Sequence, residues 1–168
     1  MRRSFLFKKE RAKNIIHINE AEYIFEIKLD VVEKLTEYTQ HKGNELCGVL
    51  TGSKIDNNKY RICKISQPCI AKNSLFRCER DAEEANTFIN EDFLKSNNTR
   101  VYIGEWHTHA QDIPTPSSVD YNSIIQIYNT SEIPLPFLLL IIVGKSEIYY
   151  CLYDGERFIK FTPILYNS

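Results

Sequence analysis

Two histidines one residue apart and an aspartate further along the chain have the types and spacing of a metal site: His107, His109 and Asp120. Side chains alternate between the faces of a strand, so both imidazoles would project from one face, about 7 Å apart. They could bind one metal ion at roughly 2.0–2.1 Å, with Asp120 as a third ligand from the next helix. Two histidines, one aspartate and a water form the open site of a hydrolytic zinc centre. Because H-x-H also occurs by chance on strands, this spacing alone does not establish the site.

The residues just before Asp120 predict where its helix begins. Ser117 and Asp120 have the S-x-x-D spacing of a capping box, and Pro116 ahead of them favours a helix start. Such a cap would fix Asp120 relative to the strand that carries the histidines. Glu105 would share the strand face of His107, where it could orient a ligand, compete as the base, or lie in solvent.

The elements that must position these residues follow from hydrophobic periodicity and turn signals. Asp30 and Glu33 have capping-box spacing at the start of the first helix, and Gly52 is expected to end the strand that contains Glu45. The sequence therefore predicts a mixed α/β chain with many hairpins rather than a regular βαβ alternation. Helices are predicted over 31–41, 81–95 and 118–129, strands over 23–29, 45–51, 60–65, 100–106, 137–143, 147–153 and 158–164, and a loop with a short strand around Leu75-Phe76 over 66–80.

The spacing of His107, His109, Ser117 and Asp120 resembles the metal motif of the JAMM (JAB/MPN+) zinc peptidases. The segment 45–52 (ELCGVLTG) is similar to the strand that carries a glutamate in that family. This resemblance implies an α/β fold of the α+β type, the MPN/JAB (cytidine deaminase-like) fold, with a mixed central β-sheet flanked by about three helices.

The resemblance also implies roles for individual residues. One Zn²⁺ per chain would be bound by His107, His109 and Asp120. Glu45 resembles the general acid/base that takes a proton from the zinc-activated water and later delivers it to the leaving amine. Ser117 resembles the hydroxyl that helps hold the tetrahedral oxyanion.

Within the family, the strings 104–109 (GEWHTH) and 114–118 (PTPSS) most resemble small bacterial JAB peptidases encoded beside ubiquitin-like conjugation enzymes, notably in CBASS anti-phage operons. This implies a deubiquitinase-like isopeptidase that hydrolyses the amide bond between the C-terminus of a conjugated protein and its target or extension. The conjugated protein would be a cGAS-like nucleotidyltransferase or a ubiquitin-like protein, its extended tail bound by strand addition between 73–77 and 110–116. The sequence leaves open which protein is conjugated, whether the enzyme acts as an exopeptidase or an isopeptidase, and whether it forms a homodimer.

Two other classes of protein fit parts of the motif. A RadC-like JAB protein linked to DNA also carries H-x-H and P-x-P-S-x-x-D, but its H-N-H-P string is replaced here by Thr108 and Ala110. The proline that JAMM peptidases usually have after the second histidine is therefore absent, which leaves the rigidity of that loop open. A non-catalytic MPN scaffold would have lost metal ligands, whereas all the motif residues are present here.

Composition restricts the partners of this 168-residue chain, which we expect to be a single JAB/MPN domain over 1–168 with a basic N-terminal arm or edge segment over 1–20. Its net charge of −1 argues against a dedicated nucleic-acid binder. Its longest apolar run, 137–143, is shorter than the about 20 residues of a membrane span, and its N-terminus lacks the apolar core of a secretory signal. We therefore expect a cytoplasmic protein with reduced cysteines and no membrane partner, and Cys47 in a strand core. The basic arm is either solvated or a docking arm for an acidic partner.

Overall fold

One apolar strand, Leu138–Val143, lies at the centre of the computed structural model, which describes residues 14–167. All of its side chains are buried, as expected for a strand covered on both faces of a sheet. Its odd-numbered residues pack into the larger hydrophobic cluster, and its even-numbered residues pack into a smaller cluster around Ile124. This alternation shows that both faces of the sheet are covered.

The strands and helices of the described residues form one large sheet, one separate hairpin and three helices. The strands are β1 (Ile15–Ile18), β2 (Ala21–Lys28), β3 (Cys47–Asp56), β4 (Lys59–Ile65), β5 (Ile70–Ser74), β6 (Arg77–Arg80), β7 (Val101–Thr108), β8 (Leu138–Val143), β9 (Ile148–Tyr153), β10 (Phe158–Lys160) and β11 (Ile164–Tyr166), and the helices are α1 (Leu29–Glu37), α2 (Ala82–Lys95) and α3 (Ser118–Thr130). The nine-stranded mixed sheet has the order β1-β2-β4-β3-β7-β8-β9-β10, with β11 paired to β2, and β5 and β6 form the hairpin. The predicted fold class, a mixed central sheet flanked by three helices, is confirmed. None of the helices within residues 14–167 is long and apolar enough to cross a membrane.

Two predicted boundaries near the start of the chain are wrong. Helix α1 begins at Leu29 with Lys28 as its N-cap residue, so Asp30 lies in the first turn instead of capping the helix. Strand β3 continues through Gly52 to Asp56, because β4 keeps pairing with it beyond a register shift at the glycine, whereas its pairing with β7 ends at Gly52.

The segment 66–80 is a hairpin rather than a loop with one short strand. Leu75 and Phe76, where the sequence predicts that strand, form the turn between β5 and β6. The last predicted strand, 158–164, is divided: β10 pairs with β9, and β11 pairs in parallel with β2. At the start of the chain, β1 is an edge strand, whereas residues 1–13, which carry the basic charge, lie outside the described residues.

The prediction of reduced cysteines is wrong for one pair. Cys47 at the start of β3 and Cys78 in β6 are joined by a disulfide, with their Cα atoms 5.9 Å apart. The other cysteines are free thiols. The two bonded residues are 31 positions apart in sequence, and only the packing of the β5–β6 hairpin against β3 brings them within bonding distance.

A buried carboxylate joins α2 to the sheet, and its removal is expected to destabilise the fold. The side chain of Asp92 is 1% exposed and accepts hydrogen bonds from Arg100 Nη2 at 2.6 Å and Thr51 Oγ1 at 2.6 Å. Asp92→Ala would leave a partly buried guanidinium unpaired, so we expect the free energy of unfolding to fall by about 3 kcal/mol. Urea denaturation would measure this change. Glu91→Ala removes only an exposed pair with Lys95 and is expected to cost less than about 1 kcal/mol.

The same carboxylate predicts a dependence of stability on pH. Burial would raise the pKa of Asp92, but hydrogen bonds from Arg100 and Thr51 outweigh it and lower the pKa. A group whose pKa is lower in the folded state stabilises above its unfolded pKa, and that contribution is lost as the pH falls through the folded value. The difference between wild type and Asp92→Ala should therefore be largest near neutral pH and shrink below about pH 4. A difference that grew on acidification would contradict this assignment.

Candidate active site

The two histidines lie at the end of β7, which pairs with β3 on one side and β8 on the other. Beyond the strand, the backbone N–H of His109 donates to the carbonyl of Val143 at 2.9 Å, so the chain continues beside β8. Thr108, between the histidines, is fully buried. The rings of His107 and His109 therefore project from the same side, as the alternation predicts, with their centroids 4.8 Å apart.

The first turn of α3 brings Asp120 to these rings. The Oγ of Ser117 accepts the Asp120 backbone N–H at 3.2 Å, and the Oδ2 of Asp120 accepts the Ser117 N–H at 2.6 Å. The predicted capping box is thereby confirmed. With the helix start fixed, the Oδ1 of Asp120 lies 3.2 Å from His107 Nε2, and its Oδ2 lies 3.3 Å from His109 Nε2. The two Nε2 atoms are 3.1 Å apart.

The charges of this group act on one another. Burial would raise the pKa of Asp120, but its contacts with His107 and His109 hold that pKa well below the usual range for an aspartate. Burial would lower the pKa of His109, but the hydrogen bond and the charge of Asp120 raise it above the usual value. An ionised carboxylate therefore faces both rings, and one ligand atom from each of the three residues lies within 4.8 Å of the others.

Gln111 is a site residue that the sequence did not reveal. Its Oε1 lies 3.3 Å from Nδ1 of His109 and also accepts the backbone N–H of Thr115 at 3.1 Å. An oxygen can only accept here, so Nδ1 donates the hydrogen bond to Gln111, and Nε2 is the nitrogen that faces Asp120. Gln111 therefore fixes the orientation of the His109 ring, and its only sequence signal was its position two residues after His109.

Glu45 reaches the same group from the segment just before β3. Its side chain is buried, and its Oε1 lies 3.9 Å from Nε2 of His109. Burial raises the pKa of Glu45 to about 7, against the lowering effect of His109 and with a further increase from Asp120. A carboxyl group with this pKa can both take and give a proton near neutrality. The structure thus brings Glu45, His107, His109 and Asp120 together, whereas Ser117 is connected to this group only through its cap on Asp120.

Glu105 is also buried but has other partners. Its carboxylate binds Arg80 Nε at 2.9 Å and accepts a hydrogen bond from the hydroxyl of Tyr102. Burial raises the pKa of Glu105 to about 7, although the charge of Arg80 opposes this change. These contacts join β6 to β7. Both partners of the Glu105 carboxylate are therefore residues other than the histidines. Of the three interpretations that the sequence leaves open, they exclude a carboxylate lying in solvent.

A cavity of 360 Å³, called the site cavity below, opens beside the histidines between β6 and α3. Of the predicted wall over 73–77, only Phe76 and Arg77 line it. Among the described residues, however, the loop 110–116 contributes nothing to its lining. The second wall is α3 instead, because the capping box turns that helix alongside the cavity. The lining also includes the candidate residues Glu45, Glu105, His107 and Asp120.

A mixed sheet whose strand end carries two histidines, joined by an aspartate from the next helix, is the arrangement of a JAB-type domain, and these three residues could hold a metal ion. The sequence matches the family described as prokaryotic homologs of the JAB domain over residues 30–151, and this chain belongs to that family.

Curated relatives and one solved structure agree with this assignment. A Vibrio cholerae serotype O1 protein named CD-NTase/cGAS isopeptidase is 30% identical over 153 residues, which cover 89% of this chain and 95% of the relative. An Escherichia coli protein with the same name is 32% identical over 123 residues, or 71% of this chain and 76% of the relative. A Desulfitobacterium hafniense protein solved in solution has the same fold, with a TM-score of 0.64, 20% identity, and coverage of 86% of this chain and 94% of its own.

Proposed function

We propose that this protein is a zinc-dependent isopeptidase that hydrolyses the amide bond between the C-terminus of a cGAS-like nucleotidyltransferase (CD-NTase) and its target, as part of bacterial anti-phage defence. The observation that carries the proposal is the convergence of His107, His109 and Asp120 within 4.8 Å, with the Glu45 carboxylate 3.9 Å from His109. The names of the relatives from Vibrio cholerae and Escherichia coli support the substrate class.

The donor set and its spacing fit a zinc ion. Two imidazoles and one carboxylate are ligands that Zn²⁺ takes in catalytic sites, which keep the fourth position open. A tetrahedral ion bound at about 2.0–2.1 Å needs ligand atoms about 3.3 Å apart. The two Nε2 atoms are 3.1 Å apart, and each lies close to a different oxygen of Asp120: His107 Nε2 is 3.2 Å from Oδ1 and His109 Nε2 is 3.3 Å from Oδ2. The ring nitrogens and the carboxylate therefore already face a common centre.

The residues around this centre would have different roles in amide hydrolysis. When bound, zinc would activate a water at neutral pH and polarise the substrate carbonyl. Glu45 would accept the proton of the attacking water and deliver it to the leaving amine, for which its pKa of about 7 is well matched. Ser117 accepts the Asp120 N–H with its Oγ, so its own hydrogen stays available to stabilise the carbonyl oxygen as negative charge develops.

The site cavity suits an extended peptide. β6 pairs with β5 along one edge, and within residues 14–167 no strand pairs with its other edge. The residues of β6 line the cavity, so a substrate tail could add to β6 as a further strand, held by main-chain hydrogen bonds. The opposite wall, α3, carries no charged residue except Asp120. We therefore expect uncharged tail residues to face this helix.

Cleavage of a defined amide junction tests the proposal. The substrate is a cGAS-like nucleotidyltransferase with a C-terminal amide-linked extension, and mass spectrometry identifies the bond that is cut. We expect release of the extension by the zinc-loaded protein, loss of release after treatment with a chelator, and recovery when Zn²⁺ is returned. A folded, zinc-loaded protein that leaves the junction intact would refute the assignment.

The same preparation distinguishes the other two classes. A non-catalytic scaffold would take up no zinc. A RadC-like protein would bind DNA, and its affinity would fall steeply between low and moderate salt.

A further inference from the structure

Glu45 precedes the first residue of β3, so the large sheet does not hold it. The β5–β6 hairpin holds its backbone instead. The Glu45 N–H donates to the carbonyl of Ser74 at 2.8 Å, and the Glu45 carbonyl accepts a hydrogen bond from Asn73 Nδ2 at 2.9 Å. Both ends of this residue therefore depend on β5, which lies 28 positions further along the chain.

The loop that carries Glu45 has a second attachment through Gln40, which is 4% exposed. Its Nε2 donates to the carbonyls of Gly43 at 2.9 Å and Leu75 at 3.3 Å, and its Oε1 accepts from Thr108 Oγ1 at 3.3 Å. Thr108 lies between the two histidines. One buried amide thus joins the loop, the tip of the hairpin and the strand of the metal site.

These contacts divide into two kinds. Gln40 and the disulfide between Cys47 and Cys78 fix the hairpin as a body, because each joins separate elements of the fold. Asn73 acts only on the peptide unit of Glu45, with a further 3.4 Å contact to the exposed side chain of Asn44. Loss of the Asn73 amide would therefore leave the hairpin attached and remove the hydrogen bond to the Glu45 carbonyl, so that this peptide unit would be held only through the Leu46 N–H, which donates to Thr108 Oγ1 at 3.0 Å.

We propose that Asn73 is a positioning residue for Glu45, through which the β5–β6 hairpin sets the distance between the Glu45 carboxylate and the metal site. This inference rests on the proposed function, in which Glu45 transfers the proton. A displacement of about 1 Å from the productive geometry can cost about 10²-fold in rate. Since β6 of the same hairpin lines the site cavity, the surface that receives the tail also holds the base in place.

The test compares Asn73→Ala, Asn73→Asp and Lys72→Ala. The aspartate has the shape of asparagine but lacks the Nδ2 donor, and Lys72 is an exposed neighbour on β5 that forms neither a hydrogen bond nor an ion pair with Glu45 within residues 14–167. In both Asn73 variants we expect kcat on the amide-linked fusion to fall about 10²-fold, with KM within about twofold of wild type and zinc content unchanged. Lys72→Ala should match wild type in all three measurements.

Hydrogen–deuterium exchange of zinc-free protein provides a readout that does not require activity. The Glu45 amide, bonded to Ser74, should exchange at least about tenfold faster in both Asn73 variants and at the wild-type rate in Lys72→Ala. A wild type that cleaves nothing would refute the proposed function, and the exchange rates would then still decide the role of Asn73. Unchanged exchange, an unchanged kcat in a cleaving enzyme, or a rise in KM in place of the fall in kcat would each overturn the inference.

Discussion

Glu45→Gln is expected to abolish amide hydrolysis while leaving zinc binding intact. Glutamine keeps the size of the buried side chain and its place beside His109, but it cannot accept a proton from the attacking water. General acid–base catalysis typically contributes about 10²–10⁴-fold, so kcat on the amide-linked fusion should fall by that factor. Elemental analysis should still find one zinc per chain, because Glu45 lies outside the group formed by His107, His109 and Asp120.

Glu105→Gln is the matched control for this experiment. Both glutamates are buried carboxyls at the site cavity with a pKa of about 7. They differ in their partners, since Glu45 faces His109 whereas Glu105 binds Arg80 and Tyr102. Glutamine at position 105 can still accept a hydrogen bond, so we expect most of the activity to remain. An active Glu45→Gln beside an inactive Glu105→Gln would show that Glu105 is the base.

The metal group could be predicted from sequence because its geometry is encoded by neighbours. The alternation of a strand determines that His107 and His109 share a face, and a capping box determines where Asp120 stands at the start of α3. Each rule spans only a few residues, so the spacing predicts the local geometry, whereas the choice of this site rests on the resemblance to the JAMM motif. The structure then needs only the packing of α3 beside β7 to bring both pieces together.

The surroundings of Glu45 could not be predicted in this way. Its backbone partners, Asn73 and Ser74, belong to a hairpin whose turn, Leu75-Phe76, is apolar and lacks the glycine or asparagine that usually marks a turn. Without that signal the segment reads as a loop, and the disulfide partner of Cys47 cannot be recognised either. The parallel pairing of β11 with β2 could not be predicted either, because it joins two strands from distant parts of the chain and no local pattern indicates it.

This division between local and distant contacts has a consequence for the site. His107, His109 and Asp120 are fixed by β7 and α3, whereas the backbone of Glu45 is fixed by the hairpin that lines the cavity. Under the proposed function, metal binding and proton transfer would therefore depend on different parts of the fold. Substitutions should be able to remove one without the other, and the variants of Glu45 and of the histidines test the two halves separately.

His109→Ala is expected to remove zinc binding and hydrolysis together, the largest effect of any substitution considered. The change deletes one of the three facing ligand atoms, and two remaining ligands do not make a catalytic zinc site. Gln111→Ala should weaken zinc by about 10–100-fold, because it removes only the hydrogen bond that orients the ring. His41→Ala changes an exposed histidine in the loop after α1 and should bind zinc as wild type does.

Competition with a chromophoric chelator would give the zinc affinities of wild type and of the three variants, and thermal unfolding would give an independent measure of zinc binding. A ligand that binds only the folded state stabilises it by about 2.7 kcal/mol at a hundredfold excess over Kd. Zinc should therefore raise the Tm of wild type and His41→Ala but leave His109→Ala unchanged. Because β7 and the capping box do not depend on the His109 ring, this variant should still fold without metal. Zinc affinity at the wild-type level in a folded His109→Ala would mean that the ion is bound elsewhere, and the isopeptidase proposal would lose its metal centre.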